Sequence, residues 1–114
     1  MKDIQVNARL KIKPGKMDEF KKLAHDCVEM VKQKDKGTTQ YDWFYNEDKY
    51  ECIVRERYVD SDAVLDHMAN VGHLLGGLVE LSDISLDLYG NPSENLKNAL
   101  EGFDVTFYDF GVGL

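Results

Sequence analysis

Glu56, Tyr58 and His67 are the residues in this chain that can move protons within one short stretch. An imidazole titrates near pH 6.5, so His67 can take and return a proton at neutral pH. The same histidine also reads as a pocket wall without chemistry, or as a packed helix residue bonded to a backbone carbonyl. Glu56 becomes a base if burial raises its pKa. A strand glutamate more often pairs with an arginine, and Arg9, Arg55 and Arg57 are available. Tyr41, Trp43 and Tyr45 recur at every second position and form an aromatic row. Such a row stacks a flat apolar molecule, or fills a core or a subunit interface. His73 is expected at the mouth of the same pocket.

Other chemistries find no support. A catalytic zinc wants three fixed protein ligands, and His67, His73 and Asp66 do not give a spacing that supplies them, so no metal is expected. Cys27 and Cys52 are far apart with no CxxC spacing, and read as reduced, buried, small apolar residues. Cys27 has no adjacent histidine to make it a nucleophile. His25 sits among Lys22, Asp26 and Glu29, on the polar side of its helix. No Gly-rich phosphate loop, GxGxxG or GxSxG is present. A net charge of -7 argues against nucleic acid and against anionic membranes. No apolar run approaches the roughly 20 residues of a spanning helix. Met1-Lys2-Asp3 leads straight into a strand, so a cytoplasmic location is expected.

The elements that must position these groups follow from periodicity. With 114 residues and 43% hydrophobic content, one domain with one modest core is expected. Ile4 to Ile12 alternates apolar and polar, with Ile4, Val6, Ala8, Leu10 and Ile12 on the buried face. Pro14-Gly15 ends that strand. From Lys16 to Lys34 the period becomes 3.6, with Phe20, Leu23, Ala24, Cys27, Val28 and Val31 on one helix face. Thr38–Tyr45 and Tyr50–Tyr58 read as a hairpin around Asn46-Glu47-Asp48-Lys49. Asp60-Ser61-Asp62 caps a helix expected from about Ser61 to Asn70. Gly72 is expected to interrupt it before a shorter helix over His73–Leu81, weakened by Gly76-Gly77. Ile84, Leu86 and Leu88 mark another strand. A short helix over Glu94–Leu100, capped by Ser93, a strand over Phe103–Phe110 and a loose tail from Gly111 complete the chain.

The order β-α-β-β-α-β is the split pattern of ferredoxin-like α+β folds, here with an extra C-terminal short helix and strand. Helices then cover one sheet face. The open face would carry Gln5, Asn7 and Arg9, with Ile53 and several aromatics from the hairpin. A mixed face of this kind meets another subunit, so a homodimer with sheets packed face to face is expected.

The sequence resembles the antibiotic biosynthesis monooxygenase family of the dimeric α/β-barrel superfamily. The resemblance covers about residues 4–90 of a single domain over 1–114, with 91–114 as an extension. It is carried by Ala8-Arg9-Leu10-Lys11-Ile12-Lys13-Pro14-Gly15-Lys16, by Gly37 followed by Tyr41, by Ile53-Val54-Arg55-Glu56-Arg57-Tyr58, and by Ser61-Asp62-Ala63 with His67-Met68. His73-Leu74 stands where many members have a second histidine and an aromatic. Tyr58 departs from the tryptophan frequent there. The resemblance implies a homodimer and oxidation of a small aromatic or quinol by molecular oxygen without metal or flavin. In that setting His67 would take the phenolic proton of a hydroquinone, and Tyr41, Trp43, Glu56, Tyr58 and His73 would hold the ring. A non-catalytic dimeric binding module and an isomerase or lyase on the same fold are the alternatives. Haem degradation fits less well, since Ala8, His67 and Gly76-Gly77 stand at that branch's pocket asparagine, helix tryptophan and haem histidine.

Overall fold

The computed structural model describes residues 2–114. Alternation builds the first strand, β1 (Ile4–Ile12), in which every expected inward residue is buried. The amphipathic run gives α1 (Met17–Lys34), with Phe20, Ala24 and Cys27 fully packed. Asp18 and Glu19 in its first turn and Lys32 and Lys34 in its last suit the helix dipole. The hairpin is β2 (Thr38–Asn46) and β3 (Glu51–Tyr58). Next come α2 (Ser61–Leu81) and β4 (Ser82–Tyr89), then α3 (Glu94–Ala99) and β5 (Val105–Tyr108). Among the described residues no helix is long and apolar enough to cross a membrane.

The sheet order is β2-β3-β1-β4-β5. The first four strands pair antiparallel in the ferredoxin-like arrangement, and β5 adds to the edge of its own sheet, parallel to β4. Register decides which side chains share a face. Val6 pairs with Glu56 and Ala8 with Val54, while Tyr41 pairs with Glu56 and Trp43 with Val54. Strand side chains alternate between faces. Tyr41, Trp43, Glu56 and Tyr58 therefore point towards the helices, and Arg9, Arg55 and Arg57 point away from them. Of the hairpin aromatics expected on the open face, Phe44 is there, 54% exposed. Tyr41, Trp43 and Tyr45 are on the covered face instead.

One helix replaces the two expected after Asp60. The Asp60 carboxylate caps it by accepting from Ala63 N at 2.8 Å. α2 then runs without a break through Gly72, Gly76 and Gly77 to Leu81. An interior glycine costs a helix about 1 kcal/mol against alanine. Burial of Val71, Leu74, Leu75 and Leu78 against the sheet and α1 outweighs this, since each large apolar side chain contributes about 1.5–3 kcal/mol. Gly77 has a packing reason: an added Cβ would stand 2.7 Å from Leu23 Cδ2 of α1.

The extension folds back. Leu96 and Leu100 of the α3 turn join Ile4, Val6, Tyr58, Val64 and Leu88 in one core cluster, and Phe103 packs against it. Packing takes Phe103 out of the last strand, which is shorter than the Phe103–Phe110 alternation suggests. Ser93 caps α3 as expected, accepting from Leu96 N.

Gly37, where the chain turns from α1 into β2, passes close to the start of α2. A Cβ there would stand 2.5 Å from the Ala63 Cβ and 2.9 Å from Val59 Cγ2. The Ala63 Cβ is fixed to the backbone and cannot swing aside. Gly37→Ala is expected to cost about 1–3 kcal/mol, seen as a lower urea midpoint at unchanged slope. A midpoint equal to that of the wild type would contradict this account of the joint.

Candidate functional site

Between the covered face of the sheet and α2 is a cavity of about 110 Å³. Its walls are mostly aliphatic, from β1, β4 and α2, with Leu100, Phe103 and Val105 of the extension on one side. The polar groups in the wall are Cys27, Tyr41, Trp43, Glu56, Tyr58 and His67. Of the expected site residues, the fold thus brings Tyr41, Trp43, Glu56, Tyr58 and His67 together. His73 is exposed on α2 and is not among the lining residues. The helix runs unbroken through this position, and His73 is on its exposed side.

His67 is 7% exposed and stands between two tyrosine rings, with centroids at 5.0 Å from Tyr41 and 5.3 Å from Tyr58. Its Nδ1 bonds to Asp35 Oδ2 at 2.8 Å. Asp35 also accepts from the Thr38 hydroxyl at 2.6 Å and from Asn70 Nδ2 at 2.8 Å. A carboxylate so surrounded by donors takes the Nδ1 proton as one more, which leaves the Nε2 lone pair free. His67 Nε2 is 3.9 Å from Glu56 Oε1. Glu56 in turn accepts a short hydrogen bond from the Tyr58 hydroxyl. The groups form a line, Asp35–His67–Glu56–Tyr58, with all but Asp35 on the cavity.

The arginine pairing expected for Glu56 does not occur. Arg9 bonds to Glu51 and Arg57 approaches Asp3, both on the other face. Strand parity forbids the alternative, since Glu56 differs by one position from Arg55 and from Arg57. Asp35 is the site residue that sequence reasoning missed. It stands in a run of lysines at the end of α1 and reads as part of a solvated helix end. Its backbone leaves the helix with an extended ψ of 138°, which sends the side chain inward to 2% exposure. The one available signal was a single acid among Lys32, Lys34 and Lys36.

Burial shifts the titrating groups. Glu56 is raised above the ordinary carboxylate value, first by burial and further by Asp35, while His67 and the Tyr58 hydrogen bond pull it down. Tyr58 and Tyr41 are held well above the usual phenol range, chiefly by burial and then by Glu56. Burial, and then Asp26, push the Cys27 thiol up to about 11, so it is a poor nucleophile at neutral pH. Among the described residues no group of three or more His, Cys, Asp or Glu side chains converges as a metal site.

The raised value of Glu56 makes stability depend on pH. Above the ordinary value of 4.5 the folded chain holds a proton that the unfolded chain has lost. Stability from this group is therefore full below pH 4.5 and declines as pH rises through the raised value. Glu56→Gln removes the dependence. The melting temperature of the variant relative to the wild type is expected to rise as the buffer goes from acid to neutral. A difference constant across that range would contradict the assignment.

The comparisons with known proteins agree with this architecture. A family model described as "antibiotic biosynthesis monooxygenase" matches residues 3–74. No curated protein matches the chain by sequence. Among solved structures, MupZ from Pseudomonas fluorescens superposes with a TM-score of 0.88 at 19% identity, over 100% of this chain and 94% of that one. A conserved protein from Methanosarcina mazei Go1 gives 0.70 at 23% identity, over 78% and 92%. SnoaB from Streptomyces nogalater, described as a cofactor-independent oxygenase and solved as an N63A mutant, gives 0.68 at 16% identity, over 82% and 96%. At these identities the structures establish the shared fold.

Proposed function

We propose that this chain, which belongs to the antibiotic biosynthesis monooxygenase family, is a monooxygenase that oxidises a small phenolic or quinol-type ring with molecular oxygen, without metal or flavin. The observation that carries this reading is His67, tied to Asp35 on one nitrogen and lining a cavity that has Tyr41, Trp43 and Tyr58 in its wall. His67 takes the proton of a ring hydroxyl, and the Asp35 carboxylate stabilises the imidazolium that forms. Tyr41 and Tyr58 flank the ring. Burial raises Glu56 above the ordinary carboxylate value and so disfavours a second negative charge beside the phenolate. The phenolate is electron-rich enough to reduce oxygen directly. For hydroquinone the balance is one ring plus one O₂ giving hydroxybenzoquinone and water. One oxygen atom enters the ring, the other leaves as water, and the ring supplies all the electrons. SnoaB, described as a cofactor-independent oxygenase, has this fold, which supports the assignment.

An isomerase moving a proton between two carbons is the second reading. It is favoured by the Glu56–His67 pair, an acid and a base at 3.9 Å on one cavity. Oxygen consumption separates the two. In chelator-treated buffer, an oxygen electrode with a hydroquinone panel is expected to show uptake stoichiometric with product. His67→Ala is expected to lower the rate by about 100-fold or more. Asp35→Asn, which keeps the shape and removes the anion, lowers kcat as well. No uptake with any phenol, or an unchanged rate in His67→Ala, would overturn the oxygenase reading.

The protein works as a homodimer through the outer sheet face. Phe44 is 54% exposed there and pairs in register with Ile53, in a field of charged neighbours. An exposed aromatic on the edge strand of a polar sheet face has the composition of a subunit contact. Sedimentation equilibrium at micromolar concentration is expected to give twice the chain mass for the wild type and the single mass for Phe44→Glu. A monomeric wild type would remove the dimer.

A further inference from the structure

One imidazole stands between two carboxyl groups, and the fold surrounds the two differently. Asp35 accepts from His67 Nδ1, the Thr38 hydroxyl and Asn70 Nδ2. Glu56 accepts from the Tyr58 hydroxyl alone. Among the described residues the one ion-pair partner of either is His67. Where two acids flank one base, the negative charge settles on the acid with more donors, and the other keeps its proton. Asp35 is thus the anion and Glu56 the acid. Burial and then the Asp35 charge raise Glu56 in the same direction, against the pull of His67 and the Tyr58 bond. Tyr41, Tyr58 and the Cys27 thiol, the other titratable groups in the cavity wall, are all raised and are uncharged at neutral pH. Glu56 makes no second hydrogen bond, and His67 Nε2 makes none. Among the described residues Trp43 Nε1 is the one polar side-chain atom off the exposed surface with neither a partner nor accessible area. The other Glu56 oxygen and His67 Nε2 therefore keep accessible surface, and both residues line the cavity. The Nε2–Oε1 distance of 3.9 Å is too long for a direct hydrogen bond. It is the span that one oxygen atom bridges when it stands about 2.8 Å from each group.

We infer that Glu56 is a catalytic residue in its acid form: its carboxyl O–H donates a hydrogen bond to the same substrate oxygen whose proton His67 takes. The inference rests on the cavity being the substrate site, as proposed above, and adds how the charge made there is held. The ring hydroxyl donates to His67 Nε2 and accepts from Glu56. When its proton moves to Nε2, the oxygen becomes an anion between two donors, the imidazolium N–H and the carboxyl O–H. Glu56 keeps its own proton throughout. Donors already aimed at a developing charge, in a site poor in water, stabilise it with little reorganisation. A protonated carboxyl in an apolar wall is such a donor. Tyr58 is fully buried and gives its hydroxyl proton to Glu56. It occupies one carboxyl oxygen as acceptor, which leaves the carboxyl proton to the other.

Infrared difference spectra read the carboxyl proton directly. At neutral pH in heavy water, the wild type minus Glu56→Gln is expected to show the C=O band of a protonated carboxyl, which ionised Asp and Glu side chains lack. Phenol is then added anaerobically, which prevents turnover. It is expected to move that band to lower frequency, because the carboxyl now donates to the ligand. Calorimetry under the same conditions compares two variants. Glu56→Gln keeps a donor and the shape, and is expected to bind phenol within about 3-fold of the wild type. Glu56→Leu removes the donor and is expected to bind roughly 5-fold to 10-fold more weakly, the worth of one hydrogen bond. Should either variant fail to fold, the wild-type band and its response to phenol decide alone. Absence of the band overturns the inference, as does a band that survives in Glu56→Gln and disappears in Asp35→Asn. A band that phenol leaves in place, or no binding of phenol, overturns it too. None of these results measures oxygen uptake. A band that phenol shifts, in a protein that takes up no oxygen with any phenol, sustains the inference and overturns the oxygenase reading.

Discussion

A carboxylate 2% exposed to solvent has to be surrounded by donors, and the ring of donors around Asp35 joins the working half of the molecule. Asp35 ends α1, Thr38 begins β2, and His67 and Asn70 are one turn apart on α2. The adjoining ends of α1 and β2 and the distant helix α2 meet on one pair of oxygen atoms. The loop between α1 and β2 is held a second time where Lys36 N donates to Asp66 Oδ2 at 3.3 Å. Gly37 in that loop permits the approach, because Ala63 leaves no room for a side chain. The orientation of the His67 ring is thus a property of the fold's framework, fixed before any ligand arrives.

Much of that framework is legible in the residue pattern. Period two over Ile4–Ile12, period 3.6 over Lys16–Lys34 and the cap at Asp60 follow from local chemistry, and the structure has all three. The element order already implies the antiparallel ferredoxin-like sheet. His67 on the covered side, and an aromatic row on β2, are visible in the same way. What escapes is non-local. The continuity of α2 through its glycines depends on burial against α1 and the sheet, which outweighs a local penalty. The inward turn of Asp35 depends on donors from β2 and α2. Phe103 leaves a strand-like alternation because a core cluster takes its ring. Glu56 is the instructive case: abundance of arginine nearby suggests an ion pair, but strand parity, which is local, already forbids its nearest sequence neighbours.

Chemistry and shape occupy different walls of the cavity. The hairpin and α2 bring every group that can donate, accept or titrate, and α1 adds the Cys27 thiol. Across from them, β1, β4 and the extension present only hydrocarbon. Apolar surroundings raise Glu56 and the tyrosines above their ordinary values. The imidazole between the two rings is the one basic side chain in the wall.

The family model ends at residue 74, whereas Leu100, Phe103 and Val105, which close one side of the cavity, come from beyond it. The titratable groups and the closing wall therefore come from different stretches of the chain. Leu100, Phe103 and Val105 bound the chamber without entering the hydrogen bonds of Asp35 or His67. The appended helix and strand are, in that sense, a buttress that gives the chamber its third side.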